Sequence, residues 1–233
     1  MKLTSLSIIL PCYNEEQNVE TVVRASDMVA KEVAKDYEII VVDDGSKDKT
    51  AEIASNLKKE IPQLVVISQA NQGYGGAIKT GFEATKKDWI FFTDADLQFD
   101  LNELKDFTAH TSEFDFIFGY RAKRADKFHR VLIAKMLKVW NRIFLGFPLY
   151  VKDIDCAFKL MKRQEFIKTF PILSTGAMVN TEFILKLHKM GYKFKQLPVN
   201  HYPRLHGKST GSSLGVIATA IKETFKLRAL LRK

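Results

Sequence analysis

The sequence predicts an α/β fold in which a mostly parallel central sheet carries helices on both faces. Short apolar runs at 6–10, 38–42, 64–68 and 89–93 alternate with segments at 19–34, 49–59 and 75–85 that place apolar residues at helical spacing. That alternation builds parallel strands joined by helical crossovers. Polar residues gather directly after every one of these strands, and in such sheets ligands bind beyond the carboxyl ends of the strands. With 233 residues, 46% of them hydrophobic, the chain is long and apolar enough to bury a full core.

The elements follow in order. Strand 6–10 runs into the turn Pro11-Cys12-Tyr13-Asn14-Glu15, and helix 19–34 follows. Strand 38–42 ends in Asp43-Asp44-Gly45-Ser46, where Gly45 suits a positive φ and Asp48 suits a cap for helix 49–59. Strand 64–68 leads through Gln69-Ala70-Asn71-Gln72-Gly73 to helix 75–85, and strand 89–93 ends in Asp94-Ala95-Asp96. The second half is less regular: a strand at 115–120, a basic stretch at 121–142, a strand at 156–161, a helix at 181–190, a strand at 193–198 and a polar loop at 201–210. The last segment, 214–233, has a broad apolar face (Val216, Ile217, Ala220, Ile221, Leu227, Leu231) and basic ends. No linker, low-complexity tract or internal repeat interrupts the chain, which predicts one compact domain over 1–210 with a basic amphipathic helix at 211–233.

The 36 Lys and Arg against 27 Asp and Glu give a net charge of +9, which favours an anionic partner: a nucleotide, a phospholipid surface or a nucleic acid. No nucleic-acid motif is present, which argues against the last. Cys12 and Cys156 sit in apolar runs without metal-site spacing and read as buried free thiols. No apolar run reaches the roughly 18 residues of a membrane-spanning helix. The early first strand leaves no room for a signal peptide, so the expected location is cytoplasmic, free or lying on a membrane face.

Alternate side chains of a strand share a face, so Asp94 and Asp96 project together as the chain leaves the sheet. Such a pair suits a hard divalent cation that keeps positions open for phosphate; a turn or helix cap is the alternative. The glycines of Asn71-Gln72-Gly73-Tyr74-Gly75-Gly76 lack dinucleotide-loop spacing and permit close backbone approach to a ligand, with Lys79 either near phosphate or solvated.

The four strand-end motifs, Pro11 to Glu15, Val42 to Thr50, Asn71 to Gly76 and Asp94 to Gln98, resemble those of family 2 glycosyltransferases of the GT-A fold. The branch they most resemble is that of the polyprenyl-phosphate (dolichyl-phosphate) mannosyl- and glucosyltransferases, over about residues 5 to 210. The resemblance implies a nucleotide-sugar half over about 1–120 and an acceptor half over about 121–210. It implies that Pro11, Tyr13 and Glu15 line the base and ribose, that Asp43 and Asp44 lie at the nucleobase, and that Gly73, Lys79 and Ala95 lie along the donor. It further implies that Asp94 and Asp96, with Gln98 as a further ligand, bind Mg2+ or Mn2+ at the diphosphate.

His201 to Ser209 is similar to a late Arg-x-x-Gly-x-Ser loop, which implies donor-phosphate contacts from Arg204 and Ser209. Asp153 to Lys159 matches a position that commonly reads Asp-x-x-Ser-Gly-Phe-Arg, with Cys156-Ala157 a departure. The implied acceptor is a polyprenyl phosphate; Arg121, Arg124 and Arg130 are the candidates to grip it, since guanidinium holds phosphate bidentately, with a solvated basic face as the alternative. A phosphate monoester is already ionised and needs no strong base. A hydroxyl acceptor would need one, and Asp155 and Glu182 are the candidates, with a salt bridge or helix cap as the alternative for each.

The expected reaction is an inverting transfer of mannose or glucose from a GDP- or UDP-sugar to the lipid phosphate. The rivals are a family 2 transferase acting on a hydroxyl and a nucleotidyltransferase. Segment 131–151 mixes large apolar groups with Lys and Arg, a pattern shared by a core helix and an interfacial helix at an anionic bilayer. Membrane contact is therefore expected to be peripheral or supplied by a partner subunit.

Overall fold

The computed structural model describes residues 2–123, 136, 139–176, 178–206 and 214–231. Seven strands form one sheet in the order β3-β2-β1-β4-β6-β5-β7. They are β1 (Leu3–Cys12), β2 (Ala34–Asp43), β3 (Leu64–Ser68), β4 (Trp89–Thr93), β5 (Phe116–Lys123), β6 (Phe158–Lys162) and β7 (Lys195–Asn200). Neighbours pair in parallel except at β6, which runs antiparallel to both β4 and β5. The helices are α1 (Val19–Val33), α2 (Thr50–Leu57), α3 (Tyr74–Ala84), α4 (Leu104–Thr108), α5 (Arg163–Phe166), α6 (Val179–Lys189) and α7 (Leu214–Leu231). A further helical stretch covers 139–145.

Both faces of the sheet are covered, and the alternation of strand residues shows how. Ile8, Leu10, Phe91 and Phe158 join α1, α2 and α4 in one core. Their strand neighbours Ile9, Phe92, Phe116 and Phe118 join Ile78 and Phe82 of α3 and Phe183, Ile184 and Leu187 of α6 in another. Ala220 and Leu227 of α7 belong to that second core, and Thr224 is fully buried beside them. The C-terminal helix is therefore built into the domain rather than appended to it.

The strand order reverses at β1. The chain steps outward from β1 to β2 and β3, then returns to place β4 on the other flank of β1. The crevice between the loops after β1 and β4 is thus the switch point at which open parallel sheets bind ligands. Among the described residues no helix is long and apolar enough to cross a membrane.

Candidate active site

The loops at this crevice are stitched to one another. After β1, Asn14 adopts φ 56°; its N–H donates to Ser46 Oγ (2.9 Å) and its Oδ1 accepts from the Lys47 N–H (2.8 Å). Asn14 therefore joins two strand ends and does not cap α1. The Glu15 N–H donates to Thr50 Oγ1 (2.8 Å), and Asp48 accepts from the Thr50 N–H (3.0 Å) at the start of α2, as the sequence predicts. Gly45 has φ 72°, and a Cβ there would stand 2.9 Å from the Asn71 backbone nitrogen. Only glycine gives this turn both its conformation and its clearance.

Asp43 and Asp44 are both buried. Asp43 Oδ1 accepts from the Ser46 N–H (3.3 Å). Asp44 Oδ1 accepts from Gln69 Nε2 (2.7 Å) and the Gln72 N–H (2.8 Å), tying the β2 loop to the β3 loop. Pro11 is half-buried at the end of β1, and Tyr13 presents an exposed ring.

At the end of β4, Asp94 is half-buried, and Ala95 and Asp96 are buried. Asp94 Oδ1 accepts from the Tyr74 hydroxyl at 2.9 Å. Leu97 follows at φ 59°, a strained conformation for a residue with a side chain, and Asp96 Oδ1 accepts from the Gln98 N–H (3.1 Å). Burial and the adjacent Asp96 charge push the Asp94 carboxyl up to about 7, against the pull of Tyr74, Lys159 and Arg121.

Arg204 arrives from the far end of the chain. Its segment is fastened by a bridge between Phe99 and His201 and by Gln98, whose Nε2 donates to the Tyr202 carbonyl (2.8 Å). Arg204 Nη2 then lies 2.8 Å from Asp96 Oδ2 and 3.4 Å from Glu15 Oε1. Glu15 also accepts from Asn18 Nδ2 (2.6 Å), and burial raises its pKa despite both partners. Glu15 thus works as an anchor for Arg204 within the crevice as it stands. Gln98 is turned to Tyr202, so its amide fastens the Arg204 segment instead of joining the two aspartates.

Several other predicted residues take roles different from the expected ones. The fork of Arg121 is spent on Asp153, with Nε to Oδ2 at 2.7 Å and Nη2 to Oδ1 at 2.9 Å, largely out of solvent. It clamps the loop before β6 to the end of β5 and is not presented to an acceptor phosphate. Arg124, Arg130 and Ser209 lie outside the described residues.

Glu182 is fully buried and accepts from the N–H groups of Leu173 (3.0 Å) and Ser174 (2.8 Å) and from Lys186 Nζ (2.6 Å). Although burial opposes it, these donors hold its pKa below the usual carboxylate range. That is the salt-bridge alternative. Lys79 lies 3.9 Å from Glu83 one turn on, the solvated alternative. Gly73 caps α3 at φ 79°, and its open side faces the Thr175 carbonyl, so the approach these glycines permit here is that of the 172–176 loop. Asp155 is half-buried and near enough to Tyr74, Arg121 and Lys159 for its charge to act on all three.

Two residues at the site are given no role by the sequence. Tyr74 sits inside a recognised motif, but its bond joins the first residue of α3 to Asp94 beyond the end of β4. Lys159 is a fully buried lysine in β6 whose ammonium donates to the carbonyls of Ile154 (3.2 Å) and Cys156, and burial lowers its pKa. A lysine in an apolar strand run is the signal that could have found it. Cys12 and Cys156 are buried free thiols.

The aspartates fit a divalent cation. They offer hard oxygen donors in a shielded position, the raised Asp94 pKa marks a negative charge lacking compensation, and a guanidinium already rests on Asp96. Among the described residues no cluster of three or more His, Cys, Asp or Glu side chains accompanies them, so further oxygens would come from ligand or solvent.

The mostly parallel α/β sheet that carries this crevice has the fold of the GT-A glycosyltransferases. The family model for glycosyl transferase family 2 matches residues 7–184, and the chain belongs to that family. The undecaprenyl-phosphate 4-deoxy-4-formamido-L-arabinose transferase of Pseudomonas fluorescens (strain Pf0-1) is 29% identical over 224 residues, covering 91% of this chain and 62% of its own length. The chain thus spans less than two thirds of that relative. A solved structure of glucosyl-3-phosphoglycerate synthase from Mycobacterium tuberculosis with Mn2+, UDP and glucosyl-3-phosphoglycerate superposes with a TM-score of 0.73 at 18% identity, over 97% of this chain and 80% of that one. Mannosyl-3-phosphoglycerate synthase from Rubrobacter xylanophilus gives 0.73 at 19% identity, over 99% and 76%. At these identities the likeness is one of fold.

Proposed function

We propose that the protein transfers a sugar from a nucleotide-sugar donor to a polyprenyl phosphate at a membrane surface. The reading rests on one combination: an Asp94–Asp96–Arg204 crevice in a chain that matches, over 91% of its length, a transferase named for undecaprenyl phosphate. The sugar we assign is a hexose carried by GDP or UDP.

Asp94 and Asp96 would hold the divalent cation, Mg2+ or Mn2+, which when bound supplies positive charge for the departing diphosphate. Arg204 lies beside them and would turn a guanidinium to the same phosphates, a bidentate grip that lysine does not reproduce. Asp44 uses Oδ1 within the protein and would offer Oδ2 to a base amide or imide. The Tyr13 ring would stack on the base. Glu15 would keep Arg204 over the crevice until donor phosphate replaces it. With the Glu182 oxygens engaged by Leu173, Ser174 and Lys186, an already ionised phosphate acceptor suits the site and would attack the anomeric carbon in line, inverting it. Arg124 and Arg130 remain the proposed acceptor-phosphate residues.

The decisive experiment supplies Mn2+, polyprenyl phosphate and a panel of GDP- and UDP-sugars. Lipid-linked sugar with release of nucleoside diphosphate, abolished by Asp96→Ala, is the expected result. Transfer only to hydroxyl acceptors would remove the lipid assignment, and release of pyrophosphate would mark a nucleotidyltransferase.

A further inference from the structure

Helix α7 turns one carboxylate inward. Glu223 Oε1 accepts from the Thr175 N–H (2.8 Å), the Thr175 hydroxyl (3.3 Å) and the Gly176 N–H (3.2 Å). The same short turn receives the start of α3 on its other side. The Gly75 N–H donates to the Thr175 carbonyl at 2.9 Å. The two backbones are so close that a Cβ on Gly75 would stand 2.5 Å from the Thr175 carbonyl carbon. The residue before Gly75 is Tyr74, whose hydroxyl reaches Asp94 Oδ1 at 2.9 Å. A continuous series of hydrogen bonds and one peptide link therefore runs from α7 to Asp94.

The contacts leave little slack. Backbone pressed on backbone at Gly75 cannot yield by rotating a side chain, so a shift of the 175–176 turn moves the first turn of α3 and the Tyr74 ring with it. A carboxylate that must meet a cation is sensitive to displacements of this kind, and groups that orient metal ligands without touching the metal commonly alter affinity. Packing of α7 does not depend on Glu223, because Ala220, Thr224 and Leu227 already bury that helix against the second core.

We propose that Glu223 is a positioning residue: acting through Thr175 and Gly75, it fixes the start of α3 so that the Tyr74 hydroxyl holds Asp94 in the orientation that receives the divalent cation. This rests on the proposed role of Asp94 and Asp96 as cation ligands. A helix at the far end of the chain then tunes the carboxylate at the end of β4.

The test is a double-mutant cycle read by Mn2+ binding alone, followed by electron paramagnetic resonance, without donor or acceptor. Tyr74→Phe and Glu223→Ala are each expected to weaken Mn2+ binding about tenfold. The double variant is expected to be no weaker than the poorer single one, because both changes break the same series of contacts. Glu223→Gln, which keeps an acceptor oxygen, should recover part of the affinity. If Glu223→Ala lowers the melting temperature enough to unfold the protein, the cycle is run with Glu223→Gln. Multiplicative losses in the double variant, or unchanged affinity in either single variant, would overturn the coupling while leaving the metal site standing. A wild-type protein that binds no Mn2+ would overturn both.

Discussion

An acid kept half out of water next to a second acid raises the free energy of the folded state unless its proton stays on or a cation arrives. Asp94 is in that position, since burial and Asp96 together push its carboxyl up to about 7. The folded protein therefore holds a proton that the unfolded chain releases near pH 4, and stability falls as pH rises between those values. Replacing Asp94 by Asn removes the charge and keeps an acceptor for the Tyr74 hydroxyl. In metal-free protein Asp94→Asn should raise stability above pH 7, by up to about 4 kcal/mol for a shift of this size, and the gain should vanish near pH 4. Urea unfolding of both proteins across that range measures it. An equal gain at both ends would mean that the change acts through packing and not through charge. Transfer activity should be lost in the same variant, so stability and function would pull this residue in opposite directions.

At the scale of elements, carboxylates fasten loops to helices. Glu182, in the first turn of α6, gathers the N–H groups of Leu173 and Ser174 and the ammonium of Lys186, which itself reaches the carbonyls of Thr169 (3.0 Å) and Pro171 (2.6 Å). Glu182→Ala takes the carboxylate away from a half-buried lysine and from the Leu173 and Ser174 N–H groups, and a loss of about 3 kcal/mol in unfolding free energy is expected. Glu182→Gln should cost less and leave turnover within a few-fold per folded molecule. A turnover rate lowered by about two orders of magnitude or more, at unchanged melting temperature, would restore Glu182 as a base. This division explains what the sequence could reveal. The strands before Asp43, Ser68 and Asp94, the turn at Gly45 and the Asp94–Asp96 pair are legible because local residues encode them. The antiparallel course of β6, the short helices α4 and α5, and the engagement of Arg121 with Asp153 depend on residues far apart in the chain. Two charges in a sequence do not announce that they will neutralise each other. Arg204, 108 residues from Asp96, draws attention in the sequence only because a motif carries it; nothing local announces their contact.

At the scale of the whole molecule, α7 and the stretch 139–145 meet along an aromatic seam. Trp140 and Phe144 stack at 3.9 Å, and Phe225 stands edge-on to both. Beside that seam Val139, Ile143 and Ile221 face solvent, as does the outer side of Phe225, with Lys222 and Lys226 exposed next to them in the chain. An apolar face flanked by lysines on a chain of net charge +9 matches the chemistry of an anionic bilayer, where the apolar side chains would enter the headgroup boundary while the ammonium groups would meet lipid phosphate. Each basic group near such a surface contributes about 1 kcal/mol, an attraction that salt screens, whereas the apolar contribution is not screened. Binding to vesicles containing acidic phospholipid should therefore weaken in about 1 M salt without disappearing, and neutral vesicles should bind less. Ile143 is 70% exposed and Asp there disturbs no core contact, so Ile143→Asp should reduce vesicle co-sedimentation at least several-fold at unchanged melting temperature. It should also raise KM for a membrane-embedded polyprenyl phosphate while sparing KM for the nucleotide sugar. Equal co-sedimentation of wild type and Ile143→Asp would show that this face does not meet the bilayer, and the lipid acceptor would then have to be delivered from another side of the crevice.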